Sequence, residues 1–103
     1  MIKDPKKVSK ELRKHLQFNV IKFIYKKKDG GSRFASGTTH KRFLEKNYDV
    51  KFSKNPKPIN EDIITYFDTD KKNWRSFRCE NLKDITHIYE LNINQDGQLV
   101  FIQ

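Results

Sequence analysis

Cysteine is almost missing from this chain of 103 residues: Cys79 stands alone. A lone thiol forms no internal disulfide and cannot build a zinc site by itself. Its scarcity suits a reducing compartment. Nowhere does an apolar run approach the roughly 20 residues that span a bilayer. The amino terminus, Met1-Ile2-Lys3-Asp4-Pro5-Lys6-Lys7, lacks the apolar core of a signal peptide. The expectation is a cytoplasmic protein with no membrane association. His15, His40 and His87 are far apart, with no HExxH and no paired spacing, so neither a metal nor a cofactor is expected. A nucleotide-binding glycine loop and a serine elbow are also missing; Asp29-Gly30-Gly31-Ser32 is too short and lies between strands. Cys79 is expected to be a buried core thiol, and the carboxylates near residues 61–62 and 68–70 to shape turns. No tuned acid–base pair is evident, and the chain is not expected to be an enzyme.

Acidic residues are also short, 13 against 22 basic ones, for a formal charge of +9. Such an excess favours an anionic partner. The imbalance is steepest over residues 18–46, where only Asp29 and Glu45 offset eight lysines and arginines. Eight Phe and four Tyr supply too many apolar anchors for a disordered chain. The length fits one small domain with a modest core and little room for a deep cleft.

Asp4-Pro5 is a helix start, an N-cap acceptor followed by proline at the first helical position. Val8, Leu12 and Leu16 then recur every four residues, predicting an amphipathic helix over 5–16 within an N-terminal segment 1–17. Its apolar stripe is narrow and lacks an aromatic, so it is expected to dock on the rest of the protein, 18–103, and not on a membrane. A β-rich run follows over 18–28, with apolar residues on both parities and both faces therefore covered in part. Asp29-Gly30-Gly31 turns it back into a second strand over 32–39, with Phe34 as its main apolar residue. Gly37 there marks a bulge or a close backbone approach.

Residues 40–60 read as irregular, with a helical turn near 41–46, a short strand over 48–52 and a proline loop at 55–58. A strand over 63–68, a polar turn and a strand over 74–79 come next. A bend at 81–84 leads to a last hairpin, 85–94 with 98–102. One helix followed by short strands and hairpin turns predicts a mainly β fold, a small open barrel with an N-terminal helix.

Three local signatures sharpen this. They are the strand into Tyr25-Lys26-Lys27-Lys28-Asp29-Gly30, the pair Gly37-Thr38, and Phe67-Asp68 followed by Trp74-Arg75-Ser76-Phe77-Arg78 with Leu82 and Ile85. Together they resemble a family of small Sm-like, SH3-like barrel proteins related to WYL domains, found largely in bacteriophages and some bacteria. The resemblance covers about residues 18–86 and leaves out the final hairpin. It implies an SH3/Sm-like barrel far more strongly than any function, and a phage-encoded protein acting in host cytoplasm. Sm-like barrels assemble through edge strands, and Leu91, Ile93, Leu99 and Phe101 are candidates for such an edge. Oligomeric state stays open.

The candidate site is drawn from the two hairpins. Lys26, Lys27, Lys28 and Arg33 flank the first, and Lys71 and Lys72 sit on the second turn. If these tips converge they form a rim able to follow a phosphate backbone; the competing reading is simple solubility. On the 74–79 strand, Trp74, Ser76 and Arg78 share one face while Arg75, Phe77 and Cys79 share the other. Trp74 with Arg78 is then a stacking and cationic pair, although a single Trp in a small domain is more often structural. Tyr25 is the second stacking candidate. The expected function is a basic, non-enzymatic module that binds nucleic acid, DNA or RNA, through phosphate contacts with little base specificity. The alternative is a modulator that docks on a host transcription or defence complex, with Phe43, Tyr48 and Phe52 as anchors.

Overall fold

The Asp4 carboxylate accepts the Lys7 N–H at 3.2 Å and Pro5 opens the first turn, starting helix α1, Pro5–Leu16. Arg13, Lys14 and His15 in its last turn complement the helix dipole. The structure, a computed structural model, describes residues 4–96, 98 and 99. After α1 come β1 (Asn19–Lys26), β2 (Ser32–Thr38), α2 (Lys41–Tyr48), β3 (Ile63–Asp68), β4 (Asn73–Arg78) and β5 (Leu82–Glu90). The five strands form one antiparallel sheet in the order β4-β3-β2-β1-β5, and the sheet is not closed. This is the expected helix-plus-open-barrel architecture.

The sheet curls around one core. Leu12 and Leu16 of α1 reach it from the helix; Ile21, Phe23 and Tyr25 of β1, Tyr66 of β3 and Phe77 of β4 reach it from the strands. Each large apolar side chain removed from water here stabilises the fold by about 1.5–3 kcal/mol. A second, smaller cluster covers part of the opposite face, where Phe43 and Leu44 of α2 meet Phe67, with Val20 and Phe52 packed against them. The two clusters explain why β1 carries apolar residues on both parities.

The β2–β3 joint is short. Only Gly37 with Asp68 and Thr38 with Phe67 are paired. At Gly37 an added Cβ would overlap the Tyr66 ring and lie 3.2 Å from the Phe67 carbonyl oxygen, so the glycine is there for close approach.

Two expectations need correction. The helical turn near 41–46 is a full helix, α2, ending at Tyr48 and capped by His40, which accepts the Phe43 N–H on Nδ1; the strand placed over 48–52 does not form, and 49–52 are irregular. Asp49 stops it in the left-handed region at φ 54°. The bend at 81–84 is a single 3₁₀ turn, Cys79–Asn81, and β5 already begins at Leu82, paired with Tyr25. Phe34, the main apolar residue of β2, is 78% exposed, because pairing with Ile24 turns it to the outer face. The last hairpin agrees with expectation where it is described: an antiparallel Ile93–Leu99 bridge and an Asn94 N–H to Gln98 carbonyl bond of 3.0 Å close it, while β5 itself pairs with β1. The second arm beyond Leu99, including Phe101, lies outside the described residues.

Candidate nucleic-acid interface

Local bonds hold both hairpin tips. In the first, Lys27 and Gly31 close the turn by an N–H to carbonyl bond of 2.7 Å, and Gly30 takes φ 94°. Asp29 accepts the Gly31 N–H at 2.9 Å. That bond, with the Lys27 ammonium 3.5 Å from the carboxylate, holds the Asp29 carboxyl below its ordinary range. In the second turn Asp68 accepts the N–H groups of Asp70 and Lys71, both at 2.9 Å. The carboxylates therefore shape turns.

The curl of the sheet brings the first hairpin against β4. Between them lies a groove of about 390 Å³. Lys26, Lys27, Lys28 and Arg33 line it from the hairpin, and Arg75 and Arg78 from β4. Trp74, Ser76 and Asn81 complete the walls. Its floor is made of Tyr25 and Phe77, stacked at 4.1 Å with their rings 7° from parallel. Residues distant in sequence thus share one concavity. Lys71 and Lys72 do not line it; they stay on the β3–β4 turn.

Tyr25 must be withdrawn as a stacking candidate. It is 4% exposed, its ring lies against Phe77, and its hydroxyl is bonded to that of Tyr66 at 2.8 Å. Trp74 falls between the two readings. It is 44% exposed, yet its ring meets Phe67 and Phe52 edge to face at 5.5 and 5.8 Å. One part of the indole packs on the second cluster and another part is open to a partner.

The six cations of the groove are not equivalent. Arg75 Nε lies 3.2 Å from the buried Asp68 carboxylate, a charge contact whose N–H has no aligned acceptor. Arg78 donates to Glu80 at 2.8 Å, which raises its already high pKa further. Lys27 is paired with Asp29. Among the described residues, no ion pair involves Lys26, Lys28 or Arg33. These three carry the uncompensated charge of the groove. Sequence reasoning passed over Asn81, which only the 3₁₀ turn brings to the wall, and no local signal marks it.

Elsewhere the chemistry is sparse. Among the described residues no group of three His, Cys, Asp or Glu is placed to hold a metal, and Cys79 is buried in the core. None of the described helices is long and apolar enough to cross a membrane. The anchors named for a docking protein are mostly spent on packing: Phe43 is buried, and Tyr48 and Phe52 are half-buried. A groove of about 440 Å³ beside α1 is bordered by Arg13, but that guanidinium donates to the carbonyls of Asn60, Glu61 and Ile63. Its role there is to hold the loop before β3.

Residues 9–83 match the family described as WYL_2, Sm-like SH3 beta-barrel fold. The chain belongs to this family. The match begins inside α1 and ends at the start of β5, so this WYL_2 protein carries most of β5 and the Ile93–Leu99 bridge beyond the family's common part. No curated protein and no solved structure matches the chain. The family's description names a fold and no activity.

Proposed function

We propose that this WYL_2 protein binds nucleic acid through the groove between its first hairpin and β4, with phosphate contacts dominating. The observation that carries this is the convergence of Lys26, Lys27, Lys28 and Arg33 with Arg75 and Arg78 on one concavity. A row of cations along a groove attracts a polyanion and releases its counterions, while fixing little base sequence. The bonded hairpin tip supports the reading further, because pre-positioned lysine backbones lose less freedom on binding.

Fluorescence anisotropy with labelled nucleic acid across a salt series tests it. If Lys26, Lys28 and Arg33 each neutralise one phosphate, log affinity falls against log salt with a slope of about −2.7 on duplex DNA and about −2.1 on single strands. Lys28→Ala with Arg33→Ala is the informative variant, since neither residue belongs to an ion pair and removal strands no buried carboxylate. The duplex slope should shrink by about 1.8. Unchanged affinity and slope in a folded double variant would overturn the assignment. Absence of binding at low salt would remove nucleic acid as the partner, and an acidic host protein would be sought by pulldown with and without nuclease.

A further inference from the structure

The opposite face of the same hairpin carries an ordered arrangement that the groove does not use. Neighbouring side chains on a strand point to opposite faces. Arg33 faces the groove, and the next residue, Phe34, stands on the outer face at 78% exposure, the most exposed large apolar side chain described. Its cross-strand partner is Ile24. Because β3 pairs with β2 only at Gly37 and Thr38, nothing from β3 pairs beside Phe34.

The outer face alternates along β1. At the hairpin end is Lys83, whose ammonium reaches across to the Ser32 hydroxyl at 2.6 Å. The apolar row of Phe34 and Ile24 comes next. Lys22 follows, opposite His87, and then Tyr89, opposite Val20. The His87 and Tyr89 rings lie parallel within 11° at 5.8 Å, with the Lys22 ammonium 5.8 Å from the Tyr89 ring. The rows of Phe34 and Tyr89, opposite Ile24 and Val20, are four residues apart on β1, about 13 Å along the strand. Lys22 and Lys83 share this face with one carboxylate, Asp84, opposite Ile24.

The geometry points to a base-stacking platform on the outer face of β2, β1 and β5 that takes single-stranded nucleic acid. This rests on the nucleic-acid reading of the groove and specifies its substrate. Bases lie on Phe34 and Tyr89; Lys22 meets the phosphate between them and Lys83 the phosphate beyond Phe34. A duplex keeps its base faces stacked inside and cannot use these rings, so the platform separates single strands from duplexes. The uncovered edge of β2 at Phe34 is where a strand passes from groove to platform.

The test measures anisotropy of a labelled oligothymidylate and a blunt duplex of equal length, with wild type, Phe34→Ala, Phe34→Trp and Tyr89→Ala. Circular dichroism melting verifies folding, and the high exposure of Phe34 makes its truncation harmless to the core. Phe34→Ala should lose about tenfold in affinity for the single strand and leave the duplex and the single-strand salt slope unchanged. Phe34→Trp should retain single-strand binding, and Tyr89→Ala should show a smaller loss of the same kind. Equal losses on both probes, or none on the single strand, overturn the platform. If Lys28→Ala with Arg33→Ala still weakens both probes in that case, the groove stands alone; if wild type binds neither probe, both proposals fall.

Discussion

Gly37→Ala isolates one steric contact at the joint that sets the groove. Its backbone lies outside the left-handed region, so alanine meets no conformational penalty there. The penalty is the methyl group, which would overlap the Tyr66 ring and press within 3.2 Å of the Phe67 carbonyl. Tyr66 cannot swing aside. It is fully buried, its hydroxyl is bonded to Tyr25 at 2.8 Å, and its ring meets Phe23 edge to face at 5.0 Å. Nor can the carbonyl retreat, because Phe67 pairs with both Thr38 and Trp74. Overpacking at such sites costs about 1–3 kcal/mol. Reduced freedom of the unfolded chain returns about 0.4–1 kcal/mol, leaving a net loss of about 1–2 kcal/mol. In a domain of this size each kcal/mol lowers Tm by about 4–8 °C. Melting followed by far-UV circular dichroism and by Trp74 emission should therefore show a drop of about 5–15 °C. An unchanged Tm would mean that β2 and β3 part readily, and would refute the claim that the joint is tightly packed.

The Tyr25–Tyr66 hydroxyl pair supports a second prediction. Tyr66→Phe strands the Tyr25 hydroxyl in the core and should cost about 1–3 kcal/mol in urea unfolding, whereas Tyr25→Phe with Tyr66→Phe should lie nearer wild type. Burial first, and then the Tyr25 hydroxyl, push the Tyr66 phenol far above its ordinary value of 10.0. The unfolded chain then loses its proton first, so this stabilisation is intact below about pH 10 and declines above it; Tyr66→Phe should flatten that alkaline loss. At the acid end, burial lowers the His40 pKa below 6.5, with Arg42 adding to the effect. The folded state favours neutral His40, whose Nδ1 caps α2, so stability should fall as pH drops through about 6.5. In melts at pH 5 and pH 7, His40→Asn, which caps without titrating, should shrink that difference.

Much of the fold was legible because local chemistry and global packing agree. Asp4-Pro5 with the Val8, Leu12, Leu16 stripe specifies α1 at both ends, and Asp29-Gly30 leaves one course for the first hairpin. The parity of β4 was also readable, since Phe77 and Cys79 can only face the core. Where reading failed, tertiary partners decide. Histidine is an uncommon N-cap, and Asp49 in the left-handed region has no signature, so α2 looked like a turn and a strand. The face that Phe34 takes is set by the register with β1, and Tyr25 reads as available until Phe77 arrives across the groove. Convergence of the lysines was beyond sequence because it depends on curvature of the sheet, and the β2–β3 joint that sets it is only two pairs long.

Asp68 links the stability of the barrel to the charge of the groove. It is 3% exposed, and its carboxylate does two jobs. Oδ1 accepts the two N–H groups that shape the β3–β4 turn, and Oδ2 lies 3.2 Å from Arg75 Nε, whose side chain is 27% exposed. Asp68→Asn separates these jobs. The amide oxygen still serves the turn, but the negative charge is gone. Arg75 then keeps its place on the groove wall without a counter-charge. Loss of one partner of a buried pair costs about 3–5 kcal/mol; with Arg75 partly in water the cost should be nearer 1–2 kcal/mol. Binding should move the other way. One more uncompensated cation in the groove should steepen the duplex salt slope by about 0.9 and tighten binding at low salt. A merely structural Arg75 predicts lower stability with no gain in affinity. Opposite signs in urea unfolding and in low-salt anisotropy would therefore mark Arg75 as part of the phosphate surface held in check by Asp68, and a parallel loss of both would remove it from that surface.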